Sequence, residues 1–231
     1  MLELKGLKKT FNAGAPDQKV ALNGVDLTVN NGDFITVIGG NGAGKSTLLN
    51  AIAGVWRIDE GKMVLDGEDI TRLPEYKRAK FLGRVFQDPS KGTAADMQID
   101  ENLALAARRN KIRGLKWGVK AKEKEEYKNL LAQFELGLET RTGQKVGTLS
   151  GGQRQALTLL MASLSNPRLL LLDEHTAALD PKTAKKVLTL TDEIIKRDKL
   201  TAIMITHNMN DAITHGNRLV MMNAGKIIFD V

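Results

Sequence analysis

Apolar positions recur along this chain with two periods. Alternation, or a short unbroken apolar run, predicts strands over residues 2–7, 21–29, 34–38, 62–65, 83–86, 169–172, 201–206, 218–222 and 226–229. Residues 21–29 show the alternation well, with Asp26 and Thr28 set against Val25, Leu27 and Val29. Leu169, Leu170, Leu171 and Leu172 show the unbroken kind, which suits a strand buried on both faces of a parallel sheet. Spacings of three and four predict helices over residues 47–53, 74–80, 99–109, 120–134, 156–164, 181–197 and 209–215. Gly54 ends the first helix, Pro74 opens the second and Pro181 opens the long one.

Strand and helix alternate near both ends, the pattern of a parallel α/β sheet, with antiparallel material beside it in the early part. From Ser90 the strand signals vanish until about Met161. The fold class expected is therefore α/β: a parallel core with an antiparallel β subdomain and an inserted α-helical subdomain. The chain reads as one domain, 1–231, in which 1–90 and 162–231 form the core and 91–161 the helical part. No internal repeat and no low-complexity segment interrupts it.

The stretch Gly39-Gly40-Asn41-Gly42-Ala43-Gly44-Lys45-Ser46, followed by Thr47, stands between the predicted strand 34–38 and the predicted helix 47–53. That is the context of a phosphate-binding loop. Glycines let backbone N–H groups turn inward, and the helix aims its positive dipole end at the same place. Lys45 is expected to reach the β- and γ-phosphates and the Ser46 hydroxyl to ligate Mg²⁺. A glycine-rich turn matching by chance is the plain alternative; the flanking strand and helix argue against it.

Two further stretches carry chemistry. Asp173 and Glu174 follow the four leucines, at the carboxyl end of a core strand, where open α/β sheets place their ligands. Asp173 suits Mg²⁺ held through water, and Glu174 the polarisation of an attacking water; the bland reading is a helix cap. Leu149-Ser150-Gly151-Gly152-Gln153 opens an apolar-periodic helix, so the chain has a second anion-binding helix start. One nucleotide can use both starts most simply if two chains pair head to tail. Phe11, at the edge of the loop 12–17, reads by itself as a packing residue, and His207, His175 and His215 read as surface or satisfied histidines.

Charge and composition narrow the partners. Lys and Arg number 34 against 27 acidic residues, a formal charge of +7, so anionic partners fit. Much of the excess lies in Arg108, Arg109, Lys111 and Arg113 and continues through Lys116, Lys120, Lys122 and Lys124. With only Trp117 and Tyr127 near this run and no nucleic-acid motif, a nucleic-acid partner is not expected; a solvated face, or one close to anionic headgroups, is. There is no cysteine, so disulfides are excluded. No apolar run is long enough to span a membrane and the first residues lack the shape of a signal peptide, which predicts a soluble, cytoplasmic protein.

In their order and spacing these motifs resemble the ATP-binding subunits of ATP-binding-cassette (ABC) transporters over essentially the whole chain. The Leu-Ser-Gly-Gly-Gln signature between the phosphate loop and the Asp-Glu pair carries the resemblance. It implies a RecA-like core and ATP and Mg²⁺ as cofactors. Phe11 matches the aromatic that stacks on adenine, with Val20 completing that pocket. Gly39, Asn41, Gly42, Ala43, Gly44, Lys45, Ser46 and Thr47 match the phosphate loop. Gln87 matches the glutamine that contacts Mg²⁺ and water, and Ser150, Gly151, Gly152 and Gln153 match the signature reaching the γ-phosphate across a dimer. Asp173 matches the Mg²⁺-associated aspartate, Glu174 the catalytic glutamate and His207 the switch histidine. Asp180 falls in the loop joining the two sites, where Ala178 stands at a usual serine.

The partners implied are a second copy or a paralogous ATPase, an integral membrane permease, and a substrate-binding protein reached through it. The location implied is the cytoplasmic face of the membrane. The lack of a regulatory domain after Phe229 and of fused spans looks like a bacterial uptake system. Phe86-Gln87-Asp88-Pro89 and the connector 113–118 are similar to ATPases that pair with amino-acid-type permeases. The rival readings are a soluble ABC-type ATPase in DNA repair or cluster assembly, which usually carries coiled-coil insertions or extra domains, and a GTPase or kinase, against which the absent Asn-Lys-x-Asp motif counts.

Overall fold

A computed structural model describes residues 1–109, 111 and 118–231. Most of the basic connector 113–118 therefore lies outside the described residues. Ten strands and seven α-helices follow in order: β1 (Leu2–Phe11), β2 (Lys19–Val29), β3 (Phe34–Ile38), α1 (Lys45–Ala53), β4 (Glu60–Leu65), β5 (Glu68–Asp69), α2 (Glu75–Arg78), β6 (Leu82–Val85), α3 (Ile99–Ala107), α4 (Ala121–Ala132), α5 (Gly151–Ser163), β7 (Leu169–Asp173), α6 (Pro181–Asp198), β8 (Ala202–Ile205), α7 (Met209–Thr214), β9 (Arg218–Asn223) and β10 (Lys226–Asp230), counted among the described residues.

The strands form two sheets. One is antiparallel, in the order β2-β1-β4-β5. The other runs β10-β9-β3-β8-β7-β6, parallel throughout except for the β9–β10 hairpin at its edge. Its central strands are almost wholly apolar because both faces are covered, with the buried Thr36 of β3 and Asp173 at the end of β7 as the polar positions. Leu169, Leu171, Ile203 and Ile205 point into a core shared with α1 and the antiparallel sheet. Leu170, Leu172, Ala202 and Met204 point into a second core with α3, α4, α5 and α6. Successive side chains on a strand face opposite ways, so an unbroken run feeds two cores at once.

Three departures from the sequence reading have local causes. Phe11 ends β1 rather than opening a loop, because Thr10 and Phe11 pair with Val20 and Lys19 of β2. The two-residue strand β5 is too short to show any period. The stretch predicted as helix over 74–80 gives only Glu75–Arg78, and the Arg78 side chain turns inward. There its guanidinium is buried and donates to the carbonyls of Ala51 and Ile52 at 2.8 Å each, and to Leu73 and Thr71. It thus satisfies the last carbonyls of α1, which a helix leaves without partners.

Candidate active site

The carboxyl ends of β3, β7 and β8 set the site. Register pairs Val37 of β3 with Ile205 of β8, and Asp173 of β7 with Ile205. The residues that leave these three strands therefore emerge side by side, at the ligand-binding end of an open α/β sheet.

From β3 the chain passes into the glycine loop and then α1. Gly44 holds φ 103°, and a Cβ there would meet the Ala21 carbonyl oxygen at 2.4 Å, so no other residue fits. The loop is tied from outside: the Gly225 N–H donates to the Ala43 carbonyl at 3.0 Å, and the Asn23 N–H donates to Gly225 at 2.8 Å. The β9–β10 turn is thus a brace for the loop. Lys45 is buried, and its Nζ donates to the carbonyls of Gly39 and Gly40 at 2.7 and 3.2 Å. An ammonium has three N–H donors, so one remains for a ligand oxygen. A cleft of ≈ 160 Å³ lies over the loop, lined by Asn41, Gly42, Ala43, Gly44, Lys45, Ser46 and Thr47 together with Lys19, Ala21, Glu174 and His207.

Glu174 and His207 reach this cleft from β7 and β8. Glu174 takes φ 48°, a left-handed conformation rare for a residue with a side chain, and its N–H donates to the Ile205 carbonyl at 3.1 Å. That turn brings Glu174 Oε1 to 2.5 Å from His207 Nε2. The glutamate side chain is 13% exposed and the histidine 47%, so the pair has one sheltered and one open member. Asp173, one residue earlier, has its carboxyl pushed up from the ordinary carboxylate range by burial, and the positive charges of Arg84 and Lys45 oppose that shift. Arg84 Nη2 lies 3.7 Å from Asp173 Oδ2.

The other predicted residues are not gathered around this cleft. Phe11 and Val20 flank it through their neighbours on the β1–β2 ladder, where Lys19 lines the cleft and pairs with Phe11. Phe11 packs edge-on against Trp56 at 5.4 Å, and Lys9 Nζ sits 5.5 Å from its ring centroid. Gln87 is exposed just beyond β6. Ser150 caps α5: its Oγ accepts from the Gln153 N–H at 3.3 Å, and Gln153 Oε1 accepts from the Ser150 N–H at 3.1 Å. Gln153 Nε2 meanwhile donates to the Leu136 carbonyl at 3.1 Å, so both ends of that side chain serve the fold. Asp180 caps α6 by accepting from the Thr183 N–H at 3.1 Å, and hydrogen bonding from the Thr183 side chain and then its backbone holds the carboxyl below the usual range. The two caps adjoin, because a Cβ on Gly152 would lie 2.0 Å from Thr183 Cγ2.

His175 and His215 keep structural roles. His175 is buried, and its Nε2 lies 3.0 Å from the Thr191 hydroxyl, which itself donates to the Val187 carbonyl. Burial, with His215 nearby, pulls the His175 imidazole down to about 4. His215 Nδ1 pairs with Asp192 at 2.7 Å.

Lys19 and Trp56 were not singled out by sequence, and Gly225 read there only as part of the turn between the last two strands. Lys19 adjoins Val20 and could have been found as a cation beside an expected ligand pocket. Trp56 and Gly225 act through pairings distant in sequence, which left no local signal.

The donors suited to a divalent cation are all oxygens: the Ser46 hydroxyl, the Asp173 carboxylate and the Gln87 amide. Among the described residues no group of three or more His, Cys, Asp and Glu could hold a metal by itself. Few protein oxygens, completed by phosphate and water, fit the coordination of Mg²⁺.

A parallel sheet whose strand ends deliver a glycine loop, a buried lysine and an Asp-Glu pair defines a phosphate-loop nucleotide-binding cassette. The family profile described as "ABC transporter" matches residues 22–177, and the chain belongs to that family; it is an ATPase subunit of the ABC type. The chain is 44% identical over 231 residues to a tyrosine transport ATP-binding protein of Clostridioides difficile, covering 100% of this chain and 92% of that one. It is 35% identical over 230 residues to the spermidine/putrescine import ATP-binding protein PotA of Haemophilus influenzae, of whose length it spans 57%. Among solved structures it resembles a dimeric ATP-binding cassette in a post-hydrolysis state bound to ADP and Pi, with TM-score 0.84, 30% identity and coverage of 100% and 98%. Among the described residues no helix is long and apolar enough to cross a membrane.

Proposed function

We propose that this chain is the ATP-hydrolysing subunit of an uptake transporter for amino acids, working as a head-to-tail pair against a separate membrane permease. One observation carries the two-chain reading. Ser150, Gly151 and Gly152 expose a helix start suited to an anion, yet they are not among the residues lining the cleft over the phosphate loop. A second cassette facing the first would bring its α5 start to that cleft. The partner is a second copy or a paralogue, and the pair sits at the cytoplasmic face of the membrane through the permease. The helical segment 91–161 is the unit that carries the signature.

In the assembled site the loop N–H groups, Lys45 and the opposite signature hold the γ-phosphate, and Phe11 with Val20 receives the adenine. Mg²⁺, when bound to Ser46, Asp173 and Gln87, would neutralise charge on the phosphates. Glu174 takes a proton from the attacking water while His207 holds Glu174 in place and faces the γ-phosphate. Asp180 and Gln153 shape the dimer-facing ends of α6 and α5. Catalysis of this kind is positioning plus electrostatic stabilisation.

The substrate class rests on the tyrosine transport relative. Uptake of labelled tyrosine, other amino acids and spermidine in cells with and without the intact gene tests it. Loss of tyrosine uptake alone is the expected result, and loss of spermidine uptake alone would replace the amino-acid reading with a polyamine one. A purified chain unable to hydrolyse ATP with or without its permease would sink the enzymatic role.

A further inference from the structure

We propose that Arg84 is a positioning residue for the cation side of the nucleotide site, where one guanidinium keeps in register the oxygen donors that Ser46 and Asp173 present from two different elements. The proposal rests on the nucleotide-site reading above.

Arg84 belongs to β6, beside β7, and its side chain is 14% exposed. Its Nη2 donates to Asn50 Oδ1 at 2.6 Å and lies 3.7 Å from Asp173 Oδ2. Asn50 stands one turn along α1 from Ser46, and its Nδ2 donates to the Ser46 carbonyl at 2.8 Å. The connection therefore runs from the Ser46 backbone carbonyl through Asn50 to Arg84 and on to Asp173, so it acts on the helix turn that carries the Ser46 hydroxyl. It joins the helix after the phosphate loop to the strand that carries the acidic pair.

The geometry calls for arginine. Its plane is held 4.5 Å over the Phe86 ring, a cation–π contact that restricts rotation of the fork. Both contacts are made by one nitrogen, Nη2, and it is the planar guanidinium seated on the Phe86 ring that fixes where that nitrogen points, which a flexible ammonium cannot reproduce. The 3.7 Å approach to Asp173 is too long for a hydrogen bond, so Arg84 acts on that carboxylate through its field in a partly desolvated setting. Groups behind metal ligands act mainly by orienting them, and their loss typically lowers metal affinity about 10- to 100-fold. A cation so close could instead repel the metal, and the two effects predict opposite signs.

The test measures Mn²⁺, as the probe cation, binding to the full chain loaded with ADP, by electron paramagnetic resonance, with metal-free ADP affinity measured alongside in EDTA. Arg84→Met removes the fork and keeps the bulk. It is expected to weaken Mn²⁺ binding about tenfold while metal-free ADP affinity stays within about twofold. Arg84→Lys, with the charge but without the plane that stacks on Phe86, should resemble Arg84→Met. Asn50→Ala should weaken Mn²⁺ binding in the same direction, and the double variant Asn50→Ala/Arg84→Met should be no worse than Arg84→Met, since both cut one connection. Asn50→Ala keeps a good helix former in place, so it decides the matter if Arg84→Met does not fold.

Unchanged or tighter Mn²⁺ binding in the folded variants would overturn the role of Arg84, as would an equal loss of metal-free ADP affinity, which marks a merely structural residue. A wild-type chain that takes up no Mn²⁺ with ADP would sink the site reading and the Arg84 role with it. Normal wild-type binding with unaltered variants sinks the Arg84 role alone.

Discussion

Glu174 Oε1 and His207 Nε2 lie 2.5 Å apart although they leave different strands. The contact follows from the register of Asp173 with Ile205 and from the left-handed turn at Glu174. Glu174→Gln keeps the shape of the side chain and removes its basicity. It is expected to lower ATP hydrolysis at least about 100-fold, the scale of general-base catalysis, while ATP-bound dimers accumulate. Phosphate release and size-exclusion chromatography with ATP measure the two effects; normal turnover would remove Glu174 from the role of base.

The phosphate loop and the signature should separate in a binding experiment. Lys45→Ala deletes the buried ammonium at the loop and should weaken nucleotide binding to the isolated chain about tenfold or more, since hydrogen bonds to charged groups contribute about 1.5–3 kcal/mol. Ser150→Ala lies away from the cleft, so binding to the isolated chain should be unchanged while ATP-dependent dimers and hydrolysis are lost. Titration of a fluorescent ATP analogue and sedimentation velocity report the two. Full hydrolysis in Ser150→Ala would end the two-chain reading.

Gly152 is also a packing residue. An added Cβ would collide with Thr183 Cγ2 at 2.0 Å, so Gly152→Ala should destabilise the chain by about 1–3 kcal/mol, as overpacked cores do. Thr183→Ser deletes the offending methyl and should restore most of that loss. Urea unfolding of both variants checks it; additive losses would show that the clash is relieved elsewhere.

His175 makes stability depend on pH. Its folded pKa is lowered to about 4, below the 6.5 of a free imidazole, so the unfolded chain binds the proton first as pH falls. Its contribution is present in full above pH 6.5 and is lost as pH drops toward about 4, in all by about 3 kcal/mol. His175→Gln, which can still donate to Thr191, should flatten the stability profile between pH 6.5 and 4.5. A profile as steep as wild type would assign the dependence to other groups.

What sequence conveyed and what it withheld divide along contact distance. The glycine loop, the strands 34–38 and 169–172 and the Ser150 helix start were readable because a few neighbouring residues determine them. Phe11 was read as the edge of a loop because the Phe11–Lys19 ladder pair cannot be seen in either segment alone. Arg84 read simply as a strand residue, since its meaning depends on Asn50 and Asp173, each far away along the chain. Both glutamine and glycine in the signature fit an anion site and a helix cap equally by type, and only the contacts of Gln153 and Gly152 show how much of their work is internal.

The brace from Gly225 to Ala43 has a consequence for synthesis. Residues 39–46 leave the ribosome long before the hairpin turn at Gly225 that pins their backbone. Closing so long a loop is entropically costly, and such distant contacts form late in folding. A nascent chain released before residue 225 would hold every residue of its phosphate loop without the turn that fixes the loop's shape. Newly made chains should therefore gain nucleotide affinity only after residue 225 has emerged.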